Sequence, residues 1–269
     1  MATALVTGGT SGIGNAFVRE LASRGDDVVI VARDTERMEA LADELRASHG
    51  VQVECITADL SVAADVTRVA DWIEDPAHPL DLVVNNAGFG LHAKLLDKDK
   101  LETHRRAMDV MGFAVLELSA AAGRAMVARG HGRIINVAST SAWIYSGNYS
   151  AIKAWCVAYT NALDIELQGT GVRATALCPG WVHTEFHQRA GASTDNLPGI
   201  VWVDPQVLVR EALADSEAGR AVSIPTQKWK AAIWVAQHFP RWGVRLVSRK
   251  LSSSRHEQHG RRRPGKAAQ

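Results

Sequence analysis

The stretch TGGTSGIG, residues 7–14, decides the fold. It lies between a short apolar segment and a helical pattern, and it places Gly8, Gly12 and Gly14 at the turn between them. Glycine at such positions lets the chain turn sharply, lets the backbone approach a pyrophosphate and lets the helix pack close to a sheet. The helix N-terminus attracts phosphate. The stretch therefore predicts a phosphate-binding strand, loop and helix, with an ordinary strand-to-helix loop as the alternative.

Strand-like and helix-like segments alternate after this stretch, which is typical of a parallel sheet with helices on both faces. Predicted strands begin at 5 and then cover 28–31, 51–56, 80–84, 133–137, 172–177 and 221–225. Predicted helices cover 13–23, 35–48, 63–74, 100–129, a segment beginning near 149, and 226–239. The sequence therefore predicts an α/β fold, a doubly wound parallel sheet of about seven strands in three αβα layers.

The domain organisation follows from the absence of linkers and repeats before the C-terminal end. We expect one dinucleotide-binding and catalytic domain over residues 1–250, with a C-terminal helix from about 226 that serves as a substrate lid or as an interface. Residues 251–269 are polar and basic, and this composition predicts a disordered tail.

Charge and cysteine content exclude several classes of protein. A formal net charge of +1 argues against a nucleic-acid-binding surface, although Glu257 is the only acid from Arg241 onward. The three cysteines, Cys55, Cys156 and Cys178, have neither disulfide nor metal-ligand spacing, which predicts packing roles in a reducing compartment and no metal site. The N-terminus shows no secretory leader pattern, so we expect a cytoplasmic protein.

Tyr149 and Lys153 form the strongest candidate for chemistry. Positions i and i+4 share one face of a helix, so the ammonium can lie near the phenol. A free phenol has a pKa of about 10, and a nearby cation favours its ionised form. The pair therefore predicts a general acid/base, with a solvated pair on a helix surface as the alternative.

Five motifs in order resemble the short-chain dehydrogenase/reductase family over residues 1 to about 190. They are the glycine-rich stretch, Asp59 in ADL, NNAG at residues 85–88, YSAIK at residues 149–153 with Ser139 upstream, and CPGWVHT at residues 178–184. The resemblance implies a Rossmann-like fold and a nicotinamide-dependent oxidoreductase that interconverts a carbonyl and a secondary alcohol.

The resemblance also implies the role of each matching residue. Tyr149 is the general acid/base, Lys153 lowers the pKa of Tyr149 and binds the nicotinamide ribose, and Ser139 positions the carbonyl, with Thr140 and Ser141 as competitors for that last role. The expected cofactor-binding residues are Gly8, Thr10, Ser11, Gly12, Ile13, Gly14, Arg33, Asp59, Leu60, Asn85, Ala87, Gly88, Tyr149, Lys153, Pro179, Gly180, Val182 and Thr184.

The residue just after the second strand decides the choice of cofactor because it meets the adenosine ribose. An acid there selects NAD, whereas arginine pairs with the 2′-phosphate of NADP. This position holds Arg33, so NADP(H) is favoured. NAD(H) stays possible, since Arg33 can point to solvent and Ser11 stands where some NADP-dependent relatives have a basic residue.

One position departs from the family pattern. Relatives carry an asparagine on the long middle helix that holds a water beside the lysine, and this position falls on Met111 in MDVMGF. A thioether cannot replace that amide. The backbone carbonyl of residue 111 can still hold the water, and Asp109 is the alternative if the register differs by two. A cofactor-binding sensor or scaffold with weak or no turnover is therefore the alternative function.

Aromatic residues indicate where the substrate and partners bind. Trp143, Trp181, Phe186 and Trp202 favour a largely apolar small-molecule substrate, unless they belong to the core. Near the C-terminus, an apolar stripe is formed by Trp229, Ile233, Ala236 and, less regularly, Phe239. A core-packing helix is the favoured interpretation. A lid, a subunit contact in a homo-oligomer and a peripheral membrane helix are the alternatives.

Overall fold

The structure, a computed structural model, describes residues 2–91, 93–182, 199–240, 242–246 and 248. Within these residues the main sheet is parallel throughout and holds seven strands, which are β1 (Thr3–Thr7), β2 (Asp27–Ala32), β3 (Val53–Thr57), β4 (Leu82–Asn85), β5 (Gly132–Val137), β6 (Val172–Leu177) and β9 (Val222–Ser223). They lie side by side in the order β3-β2-β1-β4-β5-β6-β9. The predicted doubly wound sheet is confirmed, with strand boundaries that differ by at most two residues.

Helices cover both faces of this sheet. They are α1 (Gly12–Ser23), α2 (Thr35–His49), α3 (Ala63–Glu74), α4 (Leu101–Met108), α5 (Ala114–Arg129), α6 (Gly147–Glu166), α7 (Pro205–Glu217) and α8 (Gln227–His238). Alternate strand residues enter two separate cores, so that Leu5 packs towards α3 and α5 whereas Val6 packs towards α1 and α2. The predicted three-layer αβα arrangement is therefore confirmed.

The long middle helix is not continuous α-helix. A π-helical turn, Asp109–Phe113, joins α4 to α5, and the N–H of Ala114 donates to the carbonyl of Asp109, five residues back. Inserted π turns occur most often at functional sites. By length and composition alone, the stretch Lys98–Arg129 is apolar enough to cross a membrane, but most of its apolar window is buried, as in the core helix of a folded domain.

A second, two-stranded sheet lies outside the predicted pattern. The strands β7 (Trp181–Val182) and β8 (Trp202–Val203) pair in parallel and flank residues 183–198, which lie outside the described residues. The predicted contributions of Thr184 and Phe186 fall in that gap, and residues 251–269 also lie outside the described part.

Against the other described residues, the C-terminal helix α8 packs with one of its faces. Ile233 is buried, and the indole ring of Trp229 lies directly against Gly180. Phe239, which the sequence pattern adds to the buried stripe, is instead half exposed because the helix ends before it and the chain turns extended. The predicted core-packing role is therefore correct for one face of α8.

Candidate active site

The candidate site lies at the carboxyl edge of the main sheet. The strand order reverses between β1 and β4, so the loops that follow these two strands diverge and leave a crevice, which is where ligands bind in open α/β sheets. The predicted site residues that the structure describes lie in two places. Most of them lie at or after the ends of the strands β1 to β6, and the others lie in the first two turns of α6. Parallel pairing brings these strand ends to one edge.

The glycine-rich loop forms a cradle that side chains would fill. Gly8 and Gly12 have positive φ angles of 68° and 56°, which L-residues with side chains rarely adopt. A Cβ on Gly14 would lie 2.3 Å from the Gly8 carbonyl oxygen. The helix N-cap, Ser11, makes no side-chain capping bond, and the first turn of α1 holds no acid. This geometry fits the pyrophosphate of a dinucleotide at the helix N-terminus.

Thr7 and Asn86 join this cradle to the neighbouring strand. Thr7 Oγ1 accepts hydrogen bonds from the N–H groups of Asn86 and Ala87 at 2.9 and 3.0 Å. The Asn86 amide in turn donates to the carbonyl of Thr7 at 2.9 Å. The sequence-based site omits both residues as contributors. The sequence places both residues at the ends of strands that flank the predicted crevice, and this position could have identified them.

Asn85 points away from the crevice. Its amide nitrogen donates to Ser119 Oγ at 3.0 Å and to Asn136 Oδ1 at 2.9 Å, within the core. Only its main chain is therefore left for the predicted contact with a cofactor. Gly88, three residues later, is exposed at the crevice.

Tyr149 and Lys153 lie together in the first two turns of α6. The Lys153 Nζ atom is 5.8 Å from the centroid of the Tyr149 ring and donates to the Val137 carbonyl at 2.7 Å. Lys153 is only 5% exposed, and it forms no ion pair with a carboxylate in the described part of the chain. Burial lowers the pKa of Lys153, while Cys156 and Cys178 oppose this effect. Among the described residues, no carboxylate therefore neutralises the positive charge that the Lys153 ammonium form places beside Tyr149.

Of the two serines that compete after β5, the structure favours Ser139. Ser139 Oγ accepts a hydrogen bond from the Ser141 N–H at 3.1 Å, which leaves its own hydrogen available to donate. Ser141 Oγ is buried and has no partner among the described residues. It is therefore not open to a substrate in the crevice. Thr140, the third competitor, donates its N–H to the Pro179 carbonyl at 2.9 Å.

An acid and two arginines meet at the other end of the crevice. Asp59 accepts hydrogen bonds from the N–H and Oγ of Ser61, and it faces Arg106 at 3.3 Å and Arg33 at 3.8 Å. Burial alone would raise the pKa of Asp59, but the Ser61 hydrogen bonds and both arginines outweigh it and lower the pKa. The sequence predicts Arg33 and Asp59 here but misses Arg106, which arrives from α4. Leu60, also predicted, is buried beneath them.

The segment after β6 is held by tryptophans. Trp229 covers Gly180 and donates its Nε1–H to the Val201 carbonyl at 3.1 Å, and Trp181 meets Trp202 edge to face at 6.0 Å. Val182 is buried in the pairing of β7 with β8. The predicted Pro179, Gly180 and Val182 therefore lie on one segment fixed by this tryptophan cluster.

Met111 occupies the inner side of the π turn. Its side chain is buried, and a Cβ on Gly88 would lie 3.1 Å from its sulfur. Asp109, the alternative for this position, instead lines an outer cavity of about 510 Å³ with His104 and Asn148. The structure therefore places Met111, and not Asp109, next to the main chain of the crevice.

Comparison with known proteins gives matches along most of the chain. The family profile described as short chain dehydrogenase matches residues 2–195. The 1-deoxy-11-beta-hydroxypentalenate dehydrogenase of Streptomyces exfoliatus is 32% identical over 261 residues, covering 87% of this chain and 94% of that one.

Solved structures also match over the whole chain. A short-chain dehydrogenase from Sphingobium yanoikuyae in complex with NADPH has a TM-score of 0.80 at 30% identity, covering 100% of this chain and 99% of that chain. The bulky-bulky ketone specific alcohol dehydrogenase from Comamonas testosteroni has a TM-score of 0.75 at 27% identity, covering 100% and 97%.

The bond between the strand ends is testable at Thr7. We expect Thr7→Val to lower the free energy of unfolding by about 2 kcal/mol, because the N–H groups of Asn86 and Ala87 lose their acceptor. Urea denaturation measures this loss. The matched control, Thr7→Ser, keeps the hydroxyl and should lose roughly half as much or less. Equal losses for the two variants would show that Thr7 acts through packing alone.

Proposed function

The chain belongs to the short-chain dehydrogenase family, and we propose that Tyr149 carries the acid–base step of its reaction. The family relationship shows an oxidoreductase that interconverts a carbonyl and a secondary alcohol with a nicotinamide cofactor. One observation carries the proposal for Tyr149. The centroid of its ring lies 5.8 Å from the Nζ atom of the buried Lys153, at the carboxyl edge of the sheet.

Each residue of the proposed site has a separate task. The bound nicotinamide supplies or accepts the hydride. Tyr149 donates the phenolic proton to the carbonyl oxygen during reduction and removes the alcohol proton during oxidation. The Lys153 ammonium stabilises the phenolate form of Tyr149, and Ser139 donates a hydrogen bond to the oxygen as charge develops there.

Met111 limits the routes by which a proton can reach Tyr149. Its thioether cannot hold a water as an amide does, so we propose that a main-chain carbonyl of the π turn takes this role. An i+5 hydrogen bond, such as the one from Ala114 to Asp109, changes the pairing of the neighbouring carbonyls. The named relatives are enzymes, so they give no support to a sensor without turnover.

We propose a preference for NADP(H) over NAD(H). Arg33 follows β2 and is 65% exposed at the crevice, where its guanidinium is available to a 2′-phosphate. The capping bond from the Arg37 N–H to Asp34 fixes the start of α2, and Arg37 lines a cavity of about 450 Å³ together with Ser11. Arg37 is therefore a second candidate for phosphate binding, which the sequence analysis missed.

We propose an apolar ketone or alcohol as the substrate. The structure places Trp181 against Trp202 beside the segment that includes Gly180, and Trp143 follows Ser139 on the adjacent loop. The similarity to an enzyme described as specific for bulky ketones supports a roomy apolar site.

We further propose one domain over residues 1–250, in a cytoplasmic homo-oligomer. The three cysteines are free, which agrees with a reducing compartment. Phe113 and Leu116 are exposed on the middle helix, and apolar side chains of this kind favour a subunit contact.

The acid–base role predicts the effect of removing one hydroxyl. We expect Tyr149→Phe to lower kcat for ketone reduction by roughly 100-fold or more, because the proton donor is lost. NADPH binding, followed by fluorescence, should change little. Tyr159→Phe is the matched control on the same helix, where the hydroxyl donates to the Leu116 carbonyl at 3.1 Å. If Tyr149→Phe keeps the kcat of the control, another group donates the proton.

Cofactor preference is testable by reversing one charge. Arg33→Asp should raise KM for NADPH by roughly 100-fold and leave KM for NADH nearly unchanged, because only NADPH carries the 2′-phosphate. Steady-state kinetics with both cofactors measure this difference. Arg210→Asp reverses a charge of similar exposure on α7 and should leave both KM values unchanged. Parallel changes for the two cofactors would contradict the assignment.

The altered proton route is testable at Met111. We expect Met111→Asn to raise kcat by roughly tenfold, because an amide can hold a water beside the proton-transfer pair, and to lower the melting temperature through burial of a polar group. Met111→Leu keeps the volume without an amide and should leave kcat unchanged. A loss of kcat in both variants would mean that the site depends on the methionine itself.

A further inference from the structure

Helix α8 and the chain that follows it expose a second apolar surface. Trp234 and Trp242 are 62% and 66% exposed, and three further residues, Val235, Phe239 and Leu246, are at least half exposed. We call these five residues the C-terminal aromatic surface. Folded proteins rarely leave so many large apolar side chains together in water, and such groups usually mark a binding surface.

This surface is fixed to the rim of the active site by the opposite face of the same segment. Trp229 packs on Gly180, and Ile233 is buried next to it along α8. Farther along, Ser248 Oγ accepts a hydrogen bond from the Tyr145 N–H at 3.0 Å. Tyr145 lies between Ser139 and Tyr149, so the segment that carries the surface lies beside the catalytic loop.

The exposed rings are arranged in pairs. Trp234 stacks on His238 with 4.5 Å between ring centroids, and Phe239 lies 6.1 Å from Trp242. Tryptophan combines a large apolar body with one N–H donor, and it is enriched where proteins meet the layer between lipid chains and water.

The distribution of charge along the chain indicates which kind of surface binds here. Residues 241–269 contain nine Arg and Lys and a single acid, which leaves 21 basic and 28 acidic residues for the rest of the chain. This segment therefore has a formal charge of +8 and the remainder −7. An anionic surface attracts the C-terminal segment and repels the rest, which orients the protein with the aromatic residues foremost.

We propose that the C-terminal aromatic surface docks on an anionic lipid surface, with the basic residues of 241–269 supplying the long-range attraction. Exposed aromatic side chains that insert into the interface and nearby basic residues that pair with anionic headgroups are the two signals that peripheral attachment needs. Docking would bring the crevice next to the bilayer, where apolar ketones and alcohols accumulate. Only this last consequence rests on the proposed function.

Vesicle co-sedimentation of the full chain tests the docking. The wild-type protein should bind vesicles of phosphatidylcholine with phosphatidylglycerol, should bind vesicles of phosphatidylcholine alone much more weakly, and should be released by added salt. The double variant W234A/W242A should bind roughly tenfold more weakly, because both anchors are lost. Neutralising Arg261, Arg262 and Arg263 to glutamine should weaken binding by at least roughly tenfold.

A matched control separates this surface from apolar exposure in general. Ile165 is as exposed as Trp242, at 66%, but lies near the far end of α6, so Ile165→Ala should bind vesicles like the wild type. NADPH binding and thermal melting show that each variant is folded. A failure of ketone turnover would contradict the proposed function and leave the vesicle result standing.

Three outcomes would overturn the docking proposal. Equal binding to both kinds of vesicle would exclude a selective anionic partner. Full binding by W234A/W242A would mean that the basic tail acts without the aromatic surface. Absence of vesicle binding, together with a dimer that W234A/W242A dissociates in sedimentation velocity, would assign the surface to a second copy of the chain.

Discussion

The hydroxyl of Thr7 joins the carboxyl ends of β1 and β4, and the cofactor cradle depends on this junction. Two N–H groups of the segment after β4 converge on Thr7 Oγ1, and the amide of Asn86 returns a bond to the main chain of β1. The absence of a Cβ at Gly14 then lets α1 close on the Gly8 carbonyl. Segments that are distant in sequence are therefore held together by the protein's own bonds, and such preorganisation reduces the entropy cost of binding.

Helix α6 is positioned by two polar anchors on one of its faces. Lys153 binds the Val137 carbonyl, and Thr160, two turns later, accepts a bond from the Asn136 amide. Asn136 also accepts from Asn85 and Ser119, so the same buried network ties β4, β5, α5 and α6 together. Buried side-chain networks of this kind help to fix the elements that they join, although the Asn85 Oδ1 atom has no hydrogen-bond partner among the described residues. Tyr149, one turn before Lys153, is held over the crevice by this anchoring.

The sheet and the main site residues could be predicted because their causes are local. Periodicity sets each strand and helix, and the requirement for glycine at Gly8, Gly12 and Gly14 is evident from the sequence itself. Asn85 could not be assigned to the core in this way, since its direction depends on Ser119 and Asn136, which come from other elements. Arg106 was missed for the same reason, because only the packing of α4 brings it to Asp59. The π turn at Met111 likewise has no composition signal of its own.

Helix α8 shows why an apolar stripe alone does not define a helix's role. Its stripe correctly predicts the packing of Trp229 on Gly180 and the burial of Ile233, but apolar side chains also lie on the opposite face. A helix that is apolar on two faces needs two partners, and the part of the fold that the structure describes covers one of them. Because the inner face covers Gly180 and the outer face is open, a partner bound outside acts on the same rigid segment that bounds the crevice. Access to the crevice and binding at the outer face of α8 are therefore physically linked through one helix.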